Sequence, residues 1–274
     1  MIEHDGYRLL IDPGYGVMSE LLRHCDPADI DAVLISHGHP DHCADLNPLL
    51  RARVLGSWVS DRLPVFAPEG ALDAVLALDP VRSVSRGADV HTVIRGDKIN
   101  FGPLLVDTTD VQHHIPTLGF RITASDGSVL AYTSDSGDTP DRVDLAREAG
   151  LLIAEVSYPA GTPVQYARHL SDAAQVARLA LDADVDHCLI THLMPFADPI
   201  TAVELVRSAG FDAVDVARPG MRLTVEPRSV ATSLPRRAAQ KVITLTHAHP
   251  RRAVVEQPWP STPQLEGASY RTDG

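Results

Sequence analysis

The stretch Ser36-His37-Gly38-His39-Pro40-Asp41-His42, "SHGHPDH", puts three histidines and an aspartate into positions 37 to 42 of a 274-residue chain that holds 13 histidines. Imidazole nitrogen and carboxylate oxygen are the donors that a hydrolytic metal site uses. His37 and His39 stand two apart. In an extended segment alternate residues point the same way, so both rings can reach one ion. Asp41 and His42 fall where a helix should begin and can reach a second ion. Two cations about 3.5–4 Å apart form the usual two-metal hydrolytic arrangement. One cluster cannot fill two tetrahedral shells, so further donors must come from elsewhere in the chain.

The flanking sequence supplies them at strand ends. "DAVLIS" (31–36) is an apolar run of strand length that delivers the histidine loop. "VQHHIP" offers His113 and His114, "YTSDSGD" offers Asp135 after a strand at 128–134, and "LITH" offers His192 after a strand at 187–191. "RHLSD" adds His169 just ahead of a helix.

Between these points short strands alternate with helices. "YRLLID" (7–12) reads as a strand stopped by "PGYG", "DHCADLNPLLRAR" as a helix start, "PVFAP" (64–68) as a strand and "ALDAVLAL" (71–78) as a helix. Residues 89–124 hold several strand-like pieces, and "DG" at 126–127 predicts a hairpin turn. A helix over 141–149 leads to the strand "LLIAEVS" (151–157). The helix in 171–183 takes Ser171 as N-cap; the next takes Asp198 as N-cap, Pro199 in its first turn and Gly210 as its stop. "AVDVA" and "MRLTVE" read as closing strands near residue 226. The pattern predicts two sheets packed face to face with helices outside, over residues 1–226, followed by a loosely ordered C-terminal tail, 227–274, rich in Pro, Ser, Thr and Arg.

Composition narrows the function classes. Hydrophobic residues make up 44% and charged residues 22%, the balance of a globular protein. Three cysteines, Cys25, Cys43 and Cys188, make no disulfide framework and point to a reducing compartment. With no signal-like apolar start and no membrane-length apolar run, the expected location is cytoplasmic, with no membrane partner. The net charge is −12. Seven of 24 basic and three of 36 acidic residues lie in 227–274, which leaves 17 basic against 33 acidic in the first 226. That body repels a nucleic-acid backbone.

Taken in order, "SHGHPDH … QHHIPTLGFRI … YTSDSGD … LLIAEVS … RHLSDAAQVARLALDADVDHCLITHLMP" resembles the metallo-β-lactamase superfamily, nearest its tRNase Z-like and cyclic-nucleotide phosphodiesterase branch, over roughly residues 7–226. The resemblance implies a four-layer αβ/βα sandwich with two zinc ions per chain, manganese or iron being alternatives the ligands allow. It implies His37, His39 and His113 around one ion, Asp41, His42 and His192 around the other, and Asp135 between them. His113 is preferred to His114 because the family ligand stands three residues before the proline, here Pro116. Asp12, in "DPG", matches a residue that supports the site from behind the ligands. His169 matches a histidine that acts on the leaving group, and Glu155 an acidic residue that orients it. Asp41 is counted with these two as catalytic.

The expected activity is hydrolysis of a small phosphodiester or nucleotide. Two alternatives use the same metals: a tRNase Z-like ribonuclease, and lactone or thioester (acyl) hydrolysis. A third is a non-catalytic relic that binds a nucleotide. His113 and Asp135 stand 22 positions apart, with room for one hairpin and none for a tRNA-gripping arm, which argues against tRNA. Related proteins also leave a homodimer open. Family members usually open with a strand and a glycine-rich loop ahead of the "DGYRLLIDPG" segment. With Met1 six residues before Tyr7, the first N-terminal strand is expected to be missing, and a longer upstream reading frame is expected. "THAHP" (246–250) has the HxH spacing but no following Asp-His, and is read as a decoy. His4, His24, His91 and His187 are read as surface or packing residues.

Overall fold

The computed structural model describes residues 1–56, 61–79 and 84–228. "THAHP" and the tail from residue 229 onward lie outside the described residues. Residues 227 and 228 lie inside them, and Arg228 is anchored on the body by Asp184 at 3.0 Å and Asp186 at 3.2 Å.

One sheet has five strands: β1 (Ile2–His4), β2 (Tyr7–Ile11), β3 (Ala32–Leu34), β4 (Leu63–Ala67) and β5 (Ala88–Thr92), in that order. The other has seven, in the order β12 (Val214–Val216), β11 (Cys188–Thr191), β10 (Leu151–Glu155), β9 (Val129–Tyr132), β8 (Thr117–Ala124), β7 (Leu104–Val111) and β6 (Lys98–Phe101). From β2 to β5, and from β9 to β12, neighbouring strands run parallel. β3 shows why: "AVL" is buried at every position, as a strand covered on both faces must be. β7, in an antiparallel pair, instead alternates buried with exposed or half-buried positions along most of its length.

The two sheets meet over Leu9, Leu34, Phe101, Val106, Phe120 and Ile122. The outer face of the first sheet packs on α1 (Val17–Leu21), α2 (Pro40–Cys43), α3 (Leu46–Leu55) and α4 (Asp73–Leu76). That of the second packs on α5 (Asp141–Ala146), α6 (Ala173–Asp182) and α7 (Pro199–Ser208). The layers are thus helix, sheet, sheet, helix, as expected. Between β1 and the inner face of β8–β11 remains a cavity of about 390 Å³, lined by Ile2, Ile11, Ile122, Leu130, Ile153 and Leu189 among others.

Several local readings need correction. The sheet edge beside β2, where the first N-terminal strand is expected to be missing, is formed by β1, three residues in antiparallel register with Tyr7–Leu9; β6 is a further strand that the pattern does not announce. "MRLTVE" pairs with no strand; Val225 instead packs its side chain over Gly150. The predicted helix after the histidine cluster is broken at Ala44 into α2 and α3. The N-cap of α6 is Asp172, not Ser171: the Asp172 carboxylate accepts from Gln175 N at 2.9 Å, and the Gln175 side chain accepts from Asp172 N at 3.0 Å. Ser171 is diverted inward, where it meets Arg142 and Glu155.

The topology decides where the site lies. β7 and β9 run in the same direction because each is antiparallel to β8, and β10 and β11 run parallel to β9. Their C-terminal ends, and the loops that follow, therefore open on one edge. That edge is where parallel sheets hold their ligands.

Candidate metal centre

Five histidines and two aspartates converge there. The donor atoms of His37, His39, His113 and Asp135 lie within 4.8 Å of one another, and so do those of Asp41, His42, Asp135 and His192. Asp135 belongs to both groups. The cavity at this edge is about 230 Å³ and is lined by Asp41, His42, Asp135, Glu155 and His192 among others. The structure thus gathers every residue expected to hold metal. His114, the competitor of His113, points elsewhere: it is exposed and lies against His169 with ring centroids 3.9 Å apart.

Hydrogen bonding fixes which nitrogen each ring turns toward the site. For His37, His42, His113 and His192 the assignment follows from the network, since each outward nitrogen meets an acceptor. His42 Nδ1 donates to Asp12 Oδ2 at 2.7 Å, and His113 Nδ1 donates to His169 O at 2.9 Å. Ser36 Oγ donates to Asp12 Oδ2 at 2.5 Å, so its lone pairs receive His37 Nδ1–H at 3.0 Å. Ser157 Oγ donates to Glu155 Oε2 at 2.6 Å and receives His192 Nδ1–H at 2.9 Å. Four rings thereby turn Nε2 inward; His39 turns Nδ1 inward, 3.0 Å from His37 Nε2 and 3.2 Å from His113 Nε2. Ring orientation by an outward acceptor is the usual support for a histidine ligand.

The donor set fits divalent cations. His42 Nε2 is buried without a hydrogen-bond partner, 3.4 Å from Asp135 Oδ1 and 3.7 Å from Asp41 Oδ2. His37 Nε2 and His113 Nε2 both point at His39 Nδ1, at 3.0 and 3.2 Å, and a single ring proton can serve only one of them, whereas a cation can take all three nitrogens. Charge states agree with this. Burial, with His42, His113 and His39 nearby, pushes His37 down to about 3. Burial also lowers His113. Burial opposes charge on His42 too, but Asp12 and Asp135 outweigh it and raise the ring to about 10. For Asp135 burial is likewise overcome, here by His42 at 3.4 Å and His192 at 3.2 Å, and the carboxyl is held below its usual range. The His192 hydrogen bond holds Asp41 well below that range.

Backbone geometry shows what the convergence demands. Asp12, Ser134 and His192 end strands β2, β9 and β11 with φ of 45°, 53° and 57°. Non-glycine residues enter this left-handed region only where their surroundings impose it, at a cost of about 1–3 kcal/mol each. Gly14 is required by close approach, since a Cβ there would stand 1.5 Å from Asp41 O. A Cβ on Gly137 would stand 2.2 Å from Arg168 O, so that glycine lets the His169 loop lie against the Asp135 loop.

The expected contact between Glu155 and His169 is not formed among the described residues. Glu155 is 1% exposed, and its carboxylate accepts from Ser171 N at 2.5 Å, Ser157 N at 2.9 Å and Ser157 Oγ at 2.6 Å. It acts on His192 through Ser157 instead. Burial, with Asp135 nearby, raises it to about 7 in spite of these bonds. His169 Nδ1 is buried without a partner. Three supports went unread in the sequence: Tyr132, whose hydroxyl donates to Asp12 Oδ2 at 2.8 Å; Ser134, whose hydroxyl donates to Ser36 Oγ at 2.7 Å; and the buried Arg142, which donates to Gly137 O at 2.9 Å and Ser171 Oγ at 2.7 Å. Only "YTSDSGD" carried a hint of the first two, as polar residues beside Asp135.

A sandwich of two sheets with this cluster on its strand-end edge defines a metal-dependent hydrolase. The chain belongs to the beta-lactamase superfamily, whose domain matches residues 7–193. It is 32% identical over 194 residues to Rv1339, an uncharacterized protein of Mycobacterium tuberculosis, covering 69% of this chain and 70% of that one. It is 28% identical over 200 residues to the probable metallo-hydrolase YhfI of Bacillus subtilis, covering 72% and 79%. The crystal structure of YhfI superposes with a TM-score of 0.71 at 24% identity, over 80% of this chain and 88% of that chain. Ribonuclease Z of Methanopyrus kandleri is 26% identical over 263 residues, covering 82% and 90%. No helix among the described residues is long and apolar enough to cross a membrane.

Proposed function

We propose that this metallo-hydrolase is a phosphodiesterase that holds two zinc ions and acts on a small phosphodiester or nucleotide. The observation that carries the reading is the pair of four-residue donor groups joined at Asp135. Its likeness to ribonuclease Z, named for cleaving a phosphodiester polymer, supports the bond type. Bound cations supply Lewis acidity and lower the pKa of water to about 7.

The chain's own residues do the rest. Asp12, Ser36 and Ser157 hold three rings so that their Nε2 atoms face inward. Asp41, near half exposed, lines the open side of the site where a substrate enters. His169 lies beside His114, its ring 6.5 Å from that of His113, and partial burial and the His114 ring keep it below its usual pKa and so neutral at pH 7. A neutral imidazole donates a hydrogen bond to a departing oxygen. The acidic body and the short 113–135 hairpin favour a small substrate over tRNA.

A second reading, acyl hydrolysis on the same metals, gains from one observation: Glu155 serves His192 rather than His169. The test is to load the protein with zinc, count ions per chain, and assay bis(p-nitrophenyl) phosphate beside a thioester and a lactone. Two ions with diester turnover support the proposal. Two ions with acyl turnover alone overturn it in favour of the second reading. Chain that holds no ion overturns both.

A further inference from the structure

We propose that Tyr158, Tyr166 and Phe196 form a stacking platform for the nucleobase of a nucleotide whose phosphate lies at the metal centre. This assignment of substrate class rests on the phosphodiesterase reading.

The chain is poor in aromatics, at 5%. Yet three of them collect on two loops that leave the metal edge. The first loop, 157–170, starts at Ser157, which holds His192, and ends beside His169. The second, 192–198, starts at His192 itself. Met194 N donates to Ser157 O at 3.3 Å and ties the loops together. Tight turns fix the rings: Gly161 N donates to Tyr158 O at 2.9 Å, His169 N donates to Tyr166 O at 2.8 Å, and Ala197 N donates to Met194 O at 2.8 Å.

The rings are arranged in a run. Tyr158 and Tyr166 lie parallel, with centroids 5.9 Å apart and planes 8° apart. Phe196 stands 5.9 Å from Tyr158, tilted by 45°. Tyr166 meets His114 edge-on at 6.4 Å, and His114 is 5.2 Å from His113 in the metal cluster. The run therefore reaches from the donor group out to open surface, where Phe196 is 74% exposed and Tyr166 37%.

A lone exposed aromatic on a surface needs no explanation. A parallel pair with a third ring beside it, tied by backbone to two loops of the site, offers fixed π-faces at a set reach from the cations. A nucleobase of any sequence stacks on such faces.

The test uses zinc-loaded protein and substrates that share a leaving group: the p-nitrophenyl ester of thymidine 5′-monophosphate and methyl p-nitrophenyl phosphate. The ratio of their kcat/KM values should favour the nucleoside ester, and should fall about tenfold in Phe196→Ala and in Tyr166→Leu, the loss that one stacked base represents. Calorimetry gives a readout without turnover. The wild type should bind adenosine 5′-monophosphate about tenfold tighter than ribose 5-phosphate, and both variants should erase that difference. Equal affinities in the wild type, or a preference that survives both substitutions, overturns the platform. A calorimetric preference without turnover of either diester leaves the platform standing and sinks the phosphodiesterase reading alone.

Discussion

Asp12 and His42 are joined by a 2.7 Å hydrogen bond from Nδ1 to Oδ2, across 30 residues of sequence and between a strand end and a helix. The same oxygen takes the Ser36 and Tyr132 hydroxyls. One carboxylate thus orients a histidine, anchors the loop that carries two more, and links the two sheets. Asp12→Ala should lower zinc affinity by about 10–100-fold, the usual cost of removing the partner of a ligating histidine. Competition with a chelating dye reads this directly, and unchanged affinity would refute the role.

On the proposed reading, protons and cations compete for His42. With its folded pKa near 10, the ring is charged in the metal-free protein at neutral pH and must release a proton on binding. Apparent zinc affinity should rise about tenfold per pH unit between pH 6.5 and 8.5 on this account. The linked stability has a definite sign. Because the folded pKa lies above the unfolded value, the contribution is complete below about 6.5 and is lost as pH rises through about 10. Asp12→Asn should flatten both trends, as measured by metal titration and by unfolding of the metal-free protein across this range.

His169 should matter in proportion to the leaving group. His169→Ala should cut kcat by about 10²–10⁴-fold on an alkyl diester and far less on a p-nitrophenyl ester, which departs unaided. Zinc content should stay at the wild-type level. Equal losses on both substrates would move His169 out of this role.

Gly14→Ala places a Cβ at 1.5 Å from a helix carbonyl, a contact that no rotamer change relieves. The chain must shift at Asp41, so stability should fall by about 1–3 kcal/mol or more and zinc affinity with it. Denaturant unfolding with and without zinc separates the two effects.

Much of this was legible beforehand because the chemistry is dense in the sequence. Four donor-type residues in six positions have little other use, and apolar runs place Asp135, His113 and His192 at strand ends. What escaped reading depended on contacts rather than on pattern. "KINF" in β6 is too short and polar to announce a strand, and β1 exists only through pairing with β2. "MRLTVE" alternates as a strand should but finds no ladder partner, and Val225 packs over Gly150 instead. Ser171 was a sound cap by residue type, but its inward bond to Arg142 left the capping to Asp172. Glu155 stood at the expected position, and only three-dimensional placement could show that Ser157, not His169, receives its support.

The left-handed turns at Asp12, Ser134 and His192 carry one more implication. They hold three strand ends in conformations that an isolated chain avoids, and the packed sheets alone must keep them so. A ligand that binds only this arrangement raises the melting temperature with its concentration. Resistance to heat in this protein should therefore act as a gauge of occupancy, climbing with free zinc and collapsing in a chelator. Among buried amides of the described residues, those of the three turns should lose the most protection from exchange once the cations are stripped away.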